Sequence, residues 1–350
     1  MKPNIQYGKS PVTIKRILNK KLHDWISSIT DREVASIAKD NAIVTGGAIA
    51  SLLLGETVND YDIYFKTKDA ANVIAQYYAS QYQKLQDEAN GVSESDTPNE
   101  EKIPYIDVIV GEDRVTFFNR SVRYTGDLKK LPKYSPIFFS QNAITLTDAV
   151  QIITRFYGDV TEIHKNFDFV HATCSFDYKT NTLHTPVEAL QSLLSRNLSY
   201  CGSLYPVASI FRMKKFLQRG WRINAGQQLK IMMQINSLDL KNLDVFKEQM
   251  TGVDISLLNA IVMAVEKEQL KHEEAESYRV SFDYVSTLID RFFGDSDDDA
   301  DVEHSEENAL FAISHTDVAG AIDLRNIKDT TDQGDAENDS DDDDVDTFNW

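Results

Sequence analysis

Two aspartates stand in an otherwise apolar stretch shortly after a pair of glycines. The stretch, residues 45–65, has the sequence TGGAIASLLLGETVNDYDIYF, with Gly46 and Gly47 near its start and Asp60 and Asp62 near its end. Alternate residues of a β-strand face the same side, so the two carboxylates would lie side by side. Each would raise the other's pKa unless a cation lies between them, and hard oxygen ligands suit Mg²⁺. The spacing therefore predicts a divalent-cation site.

The glycine pair predicts a phosphate site next to that cation. Glycine lets the backbone turn tightly and approach a ligand closely. A short helix predicted to begin at Ala48 would direct its N-terminal N–H groups and its dipole toward the same place, which favours an anion. The whole arrangement suits a metal–triphosphate. The structural alternative is a hairpin turn followed by a strand whose two aspartates merely face solvent.

The surrounding pattern predicts an α+β head. Helical periodicity covers residues 11–40, and a further helix, KDAANVIAQYYASQYQKL, follows the aspartate strand. From about residue 187 to 293 the pattern is helical. The predicted strands are NAIVT, DYDIYF, IPYIDVIV (103–110), RVTFF (114–118), IFFSQNAITL (137–146), VQIITRF (150–156) and FDFVHATCSFDY (167–178). The predicted fold is thus α+β, with a mixed β-sheet in the head and an all-helical domain after it.

Charge sets the end of the chain apart. The 350 residues carry a net charge of −19, and nearly all of it lies in residues 295–350, which contain only two basic residues. Such a segment has too few core-forming residues to offset its ordering entropy, so we predict a disordered tail. The predicted domains are a catalytic head at 1–186 with a flexible loop at 87–102, a helical domain at 187–293 and the acidic tail at 294–350.

Several classes of protein are disfavoured. The two cysteines, Cys174 and Cys201, have no metal-like spacing and are predicted to be buried thiols in a reducing compartment. The seven histidines form no H-x-H or H-x-x-x-H pair that would bind zinc. No apolar run approaches the ~18 residues of a membrane span, so a cytoplasmic protein is predicted, in the host cytoplasm if it is viral. The P-loop and Rossmann glycine motifs are absent.

The stretch GGAIASLLLGETVNDYDIYF resembles the signature of the DNA polymerase β-like nucleotidyltransferases. It is similar to the head of class II CCA-adding enzymes and bacterial poly(A) polymerases, and YPVASIFRMKKFLQRGWRI (205–223) is similar to the helix just after that head. Ala50 and Ser51 stand where the CCA-adding branch usually has an Arg-Asp pair. The arrangement is also similar to nucleotidyltransferase-like proteins of phages and large viruses.

The resemblance implies roles for the motif. Gly46 and Gly47 would contact the triphosphate of an NTP. Asp60 and Asp62 would bind two Mg²⁺ ions, for which Mn²⁺ can substitute. A third carboxylate on a neighbouring strand would bind metal and activate the acceptor hydroxyl. Its candidates, each in a hydrophobic–Asp–hydrophobic setting, are Asp168, Asp107 and Asp177.

Among the three candidates, Asp168 is favoured because NFDFVHA is predicted to be a central strand placed late in the head. A strand-end aspartate bonded to backbone N–H groups is the structural alternative for any one of them. His171, which would face away from Asp168 on that strand, is predicted to be structural.

A basic segment follows the head. From Ala189 to Leu238 the chain has seven Lys or Arg and no Asp or Glu. Arg212, Lys215 and Arg219 share one helix face and would bind a nucleotide triphosphate or a nucleic-acid backbone. The alternative is a solvated face that pairs with the protein's own acidic segments. Predicted partners are an NTP, an RNA acceptor and a protein that docks on the acidic C-terminal tail.

The predicted function is a metal-dependent nucleotidyl transfer. It would move NMP from an NTP to an acceptor hydroxyl, on RNA with a tRNA-like or other 3′ end, and release pyrophosphate. Two alternatives stay open: a non-catalytic binding or structural protein with the same fold, and a nucleotidyltransferase that acts on a protein or a small molecule. The intact aspartate pair favours an enzyme.

Overall fold

The computed structural model describes most of the first 249 residues of the chain, and these residues belong to one compact unit, Met1–Ala300. The predicted acidic tail, most of the predicted 87–102 loop and the predicted helical stretch beyond residue 249 lie outside the described residues, apart from residue 287. The boundaries of the three predicted domains therefore stay predictions. The described ranges are 8–91, 104–112, 114–119, 123–240, 242–249 and 287.

A mixed seven-stranded sheet forms the head. Its strand order is β5-β6-β7-β2-β1-β8-β9, in which β2 and β7 run parallel and the other neighbours antiparallel. The strands are β1 (Ala42–Thr45), β2 (Tyr61–Phe65), β5 (Pro136–Phe139), β6 (Ala143–Leu146), β7 (Val150–Tyr157), β8 (Ser175–Asp177) and β9 (Thr182–His184). Two small sheets stand apart, β3 (Ile106–Val110) with β4 (Val115–Asn119), and β10 (Asn197–Leu198) with β11 (Arg222–Ile223).

Helices cover the sheet and continue after it. Side-chain caps begin several of them: the side chains of Ser10, Asp31, Thr67 and Asn224 accept N–H bonds of the first turn. The helices are α1 (Pro11–Ser28), α2 (Arg32–Asn41), α3 (Gly47–Leu54), α4 (Lys68–Ala89), α5 (Val160–His164), α6 (Val187–Ser195), α7 (Pro206–Gln218), α8 (Ala225–Asn236) and α9 (Leu243–Gln249). The predicted α+β fold with a mixed sheet is confirmed.

The core lies between the helices and the sheet. Ile14, Leu18, Leu22 and Trp25 follow one face of α1 and are fully buried, which explains the helical periodicity of this segment. Burying each such side chain stabilises the fold by about 1.5–3 kcal/mol. The indole Nε1–H of Trp25 donates to the hydroxyl of Tyr78 on α4 at 2.8 Å, so the one polar atom of that ring is satisfied.

Several predicted elements have different bounds. The helical pattern over 11–40 is two helices, because Asp31 caps a second start. The predicted strand at 137–146 is the hairpin of β5 and β6. The first residues of the predicted 87–102 loop belong to α4. Cys174 is buried as predicted, but Cys201 is exposed, and neither forms a disulfide.

The predicted strand 167–178 is wrong over most of its length. Only β8 at its end joins the sheet, and a short 3₁₀ helix, Val170–Ala172, interrupts it. No helix of the described residues is long and apolar enough to cross a membrane.

Candidate active site

The glycine turn is built around a contact with Asp62. Gly46 follows β1 with φ +101° and ψ −149°, a conformation open to glycine but strained for other residues. A Cβ on Gly46 would come within 3.3 Å of Oδ2 of Asp62, whereas a Cβ on Gly47 would meet no atom within 4 Å. Gly46 is therefore required by the backbone and by the carboxylate, and Gly47 leaves the start of α3 open to a ligand.

Three hydrogen bonds fix the end of β1. The hydroxyl of Thr45, fully buried, donates to the carbonyl of Cys174 at 2.8 Å, so it accepts from Nε2–H of His164, also at 2.8 Å. The N–H of Gly46 donates to the carbonyl of Ala172 at 3.1 Å. Burial, and less so the charge of His184, lowers the pKa of His164 to about 4, so the ring is neutral at neutral pH.

The two motif aspartates differ in environment. Asp60 is exposed just before β2, and Asp62 lies inside β2 and is partly buried. Val44 pairs with Ile63, so Asp62 lies beside the Thr45–Gly46 end of β1. Burial and, second, the negative charge of Asp60 raise the pKa of the Asp62 carboxyl to about 8. Two carboxylates in this state fit a divalent cation, whose charge would keep both ionised.

Asp168 is paired with an arginine. Its side chain is 5% exposed and forms an ion pair with Nε of Arg212 on α7. Its carbonyl accepts the N–H of Cys201 at 2.9 Å, and the next residue, Phe169, bridges to Tyr200, so this segment pairs outside the seven-stranded sheet. The predicted placement of Asp168 on a central strand is wrong for that reason.

The structure does not gather three predicted ligands into one cluster. Within the part of the chain that is described, no group of three or more His, Cys, Asp or Glu side chains is arranged to hold a metal ion. Asp60 and Asp62 act on each other, whereas Asp168 is held by Arg212. The role of Asp168 as third ligand stays a prediction.

The two other candidate carboxylates lie elsewhere. Asp107 is on β3, in a separate two-stranded sheet with β4. Asp177 pairs with Ile43, away from the Gly46 end of β1, and its carboxylate holds Lys66 at 2.7 Å and the N–H of Thr180 at 3.1 Å. Asp177 thus fits the structural alternative, a strand-end aspartate bonded to nearby backbone.

The phenol of Tyr64 is influenced both by the motif aspartates and by Arg212. This tyrosine is buried, and burial, followed by the charges of Asp62 and Asp60, raises the pKa of its phenol well above the ordinary value. The positive charge of Arg212 acts in the opposite direction. Arg212, which holds Asp168, is therefore within electrostatic reach of Tyr64, two residues beyond Asp62.

Two residues to which the sequence analysis assigned no role, Glu56 and Arg196, contribute to the contacts of the basic face. Glu56 follows the left-handed Gly55 that ends α3, and its two carboxylate oxygens bind Nη2 of Arg196, at 2.9 Å, and Nη2 of Arg219. The sequence signals were Gly55, whose left-handed conformation stops α3 and turns the chain, and Arg196 in the acid-free segment. The predicted basic face is thus partly paired with the protein's own acids.

His171 is structural, as expected. It is buried among aromatic rings, with ring centroids 4.4 Å from Phe216 and 4.5 Å from Trp221. Burial, and then the charge of Arg219, lowers the pKa of His171 to about 3. This packing holds the short helix whose Ala172 carbonyl binds Gly46.

The head therefore combines a mixed seven-stranded sheet, the Gly46 turn before α3 and the aspartate pair at β2. A family model described as "Gabija anti-defense 2 family protein" matches residues 16–196, which is more than half of the chain. The chain therefore belongs to the Gabija anti-defense 2 family. This assignment and the phage relative support the predicted phage origin.

One curated relative is Gabija anti-defense 2 of Bacillus phage SPbetaL7. It is 22% identical over 222 residues, which cover 63% of this chain and 44% of the relative. The match thus spans less than half of the relative's length.

Solved structures of CCA-adding enzymes are distantly similar. The Thermotoga maritima enzyme complexed with tRNA is 12% identical, with 83% of this chain and 74% of that chain covered and a TM-score of 0.35. A CCA-adding enzyme with ATP is 14% identical, with 86% and 66% covered and a TM-score of 0.36. At these values nothing about activity follows from the likeness.

Proposed function

We propose that this chain is a metal-dependent nucleotidyltransferase that acts in a phage's defence against the Gabija system. It transfers NMP from an NTP to an acceptor hydroxyl and releases pyrophosphate. The observation that carries the proposal is the Asp62 carboxylate, partly buried beside Asp60 and in contact with the Gly46 turn. A fold gains nothing from two repelling carboxylates there, and a cation–triphosphate would compensate them.

In this proposal, different residues of the chain have different roles. Asp60 and Asp62 hold Mg²⁺, or Mn²⁺ in its place. When bound, the ion neutralises phosphate charge and lowers the pKa of the acceptor hydroxyl. The N–H groups at the start of α3, the helix that begins at Gly47, face the triphosphate with the positive end of the helix dipole. Thr45, held by His164, keeps the turn in place.

The ion pair between Asp168 and Arg212 can rearrange when a phosphate ligand binds. An arginine bound to a carboxylate is also a strong phosphate ligand. The triphosphate would compete for Arg212 and leave the Asp168 carboxylate available as the base or third ligand. Arg212, Lys215 and Arg219 would then contact the nucleotide or the acceptor. We propose RNA as the acceptor, because the acid-free segment 189–238 suits a polyanion.

A second function, inhibition by binding alone, has its own supporting observations. Arg212 and Arg219 both engage the protein's own carboxylates, and no three-ligand cluster is present among the described residues. In that case the fold would block a component of the defence system without transferring a nucleotide. The relative's name, an anti-defense protein, is compatible with either mode.

Labelling separates the two functions. The full chain is incubated with each labelled NTP, Mg²⁺ or Mn²⁺, and a pool of RNA and Gabija proteins. Transfer predicts a labelled RNA band with wild type and none with Asp60→Ala or Asp62→Ala. Asp40→Ala is the matched control, because Asp40 is a surface carboxylate paired with Lys179. Anti-Gabija protection in cells by Asp62→Ala as strong as by wild type would favour inhibition by binding.

A further inference from the structure

One carboxylate holds two arginines at the far end of α3. Glu56 binds Arg196 and Arg219 at once, and Nη1 of Arg196 also donates to the carbonyl of Arg219 at 3.3 Å. The backbone N–H of Arg222 donates to the carbonyl of Arg196 at 2.8 Å, and its side chain is exposed. Two guanidinium groups therefore share a single acid, and the backbone of a third arginine, Arg222, is bonded next to them.

Backbone strain marks the same place. Arg196 ends α6 in the left-handed conformation, with φ +49°, a position where glycine is the usual residue. Gly220, between Arg219 and the aromatic core, has φ +80°, and a Cβ there would meet no atom within 4 Å. The chain keeps an arginine in this left-handed position, and strained backbone positions of this kind cluster at functional sites.

Two elements connect this cluster to the aspartates. The eight residues of α3 span about 12 Å between the Gly46 turn and Glu56. On α7, Arg212 binds Asp168, and Arg219, just after the end of α7, lies seven residues further on, about 10 Å along the helix axis. A triphosphate held at the Gly46 turn is thus not the ligand of the arginine cluster.

We propose that Arg196, Arg219 and Arg222 bind a backbone phosphate of a single-stranded nucleic-acid acceptor, and that Glu56 occupies this site as an internal anion until the strand displaces it. The inference rests on the proposed transfer to a nucleic acid and specifies where the acceptor lies. The ~12 Å length of α3 separates the cluster from the Gly46 turn, so the bound phosphate is distinct from the reacting end of the strand.

Binding in the absence of metal tests this site apart from catalysis. Anisotropy of labelled RNA is measured with the full chain in EDTA at low salt, with a dinucleotide and an octanucleotide, and unlabelled NTP as competitor. The octanucleotide should bind more tightly than the dinucleotide, and Glu56→Gln should tighten its binding about two- to five-fold, the range expected for a partly exposed ion pair. Glu162→Gln, which removes the surface pair with Lys165, is the control and should change nothing.

Arg222→Gln gives a second variant that leaves the Glu56 ion pairs in place. It should weaken octanucleotide binding and reduce the slope of log affinity against log salt by about 0.7, one phosphate contact on a single strand. Lys179→Gln is its charge-matched control. Unchanged or weaker binding by a folded Glu56→Gln, an unaffected slope in Arg222→Gln, or equal competition by polyglutamate would each overturn the site. Loss of transfer with this binding pattern intact would overturn the proposed function only.

Discussion

Gly46 and Asp62 are in direct apposition, with Oδ2 of Asp62 3.3 Å from the place where a Cβ of residue 46 would lie. This relationship ties the glycine turn to the aspartate strand. A substitution at either residue therefore alters both the backbone conformation of the turn and the electrostatic environment of the site.

Gly46→Ala should destabilise the fold and Gly47→Ala should not. The first residue would be forced into a glycine-only conformation against a carboxylate, at a cost of about 1–3 kcal/mol. The second meets open space and already has helical geometry. Urea unfolding of the two variants provides the comparison, and equal midpoints would mean that the turn tolerates a side chain at residue 46.

Asp62 should make the metal-free protein less stable as pH rises. Its pKa is about 8 in the folded state against an ordinary 3.8, so the folded protein holds the proton more tightly. The stability that the bound proton contributes is fully present below about pH 4 and is lost progressively up to about pH 8. The free energy of unfolding falls by at most ~1.4 kcal/mol per pH unit over this range. Asp62→Asn should lack this loss, and Asp62→Ala should melt at the same or a higher temperature than wild type at neutral pH.

Unfolding in EDTA at several pH values, with wild type and Asp62→Asn in parallel, measures the difference. Parallel stability curves for the two proteins between pH 4 and 8 would show that the Asp62 carboxyl titrates normally.

Mg²⁺ should stabilise the protein through the aspartate pair. A ligand that binds only the folded state raises the melting temperature as its concentration rises. The increase should occur in wild type and in Asp40→Ala but disappear in Asp60→Ala and Asp62→Ala. A thermal shift of the same size in all four proteins would place the bound cation elsewhere.

Asp168 and Arg212 should be energetically coupled. Asp168 is almost fully buried, but Arg212 is 34% exposed, so water screens the pair and the cost of losing the arginine is about 1–3 kcal/mol, below that of a fully buried pair. Asp168→Asn combined with Arg212→Gln should be less destabilised than the sum of the two single variants. Strict additivity would mean that the two groups do not depend on each other.

The motif could be predicted from the sequence, but the contacts of the residues around it could not. The glycine pair, α3 and β2 follow from local rules, since glycine conformation, short apolar helices and alternation are encoded within a few residues. The position of Asp168 was wrong because NFDFVHA has the alternation of a strand, yet its pairing partner is the segment around Tyr200, more than 30 residues away. Likewise, Glu56 meets Arg196 and Arg219 only through tertiary packing, so no spacing in the chain indicates the contact.

Pyrophosphate release coupled to acceptor labelling tests the central claim most directly. Wild type, Asp62→Asn and Asp40→Ala are compared at matched folded fractions, with NTP, Mg²⁺ and RNA, and labelled NMP on the acceptor is counted together with pyrophosphate. Wild type and Asp40→Ala should yield equal amounts of both products, and Asp62→Asn should yield neither. Undiminished products from Asp62→Asn, or no products from wild type with any NTP and either metal, would contradict nucleotidyl transfer at this site.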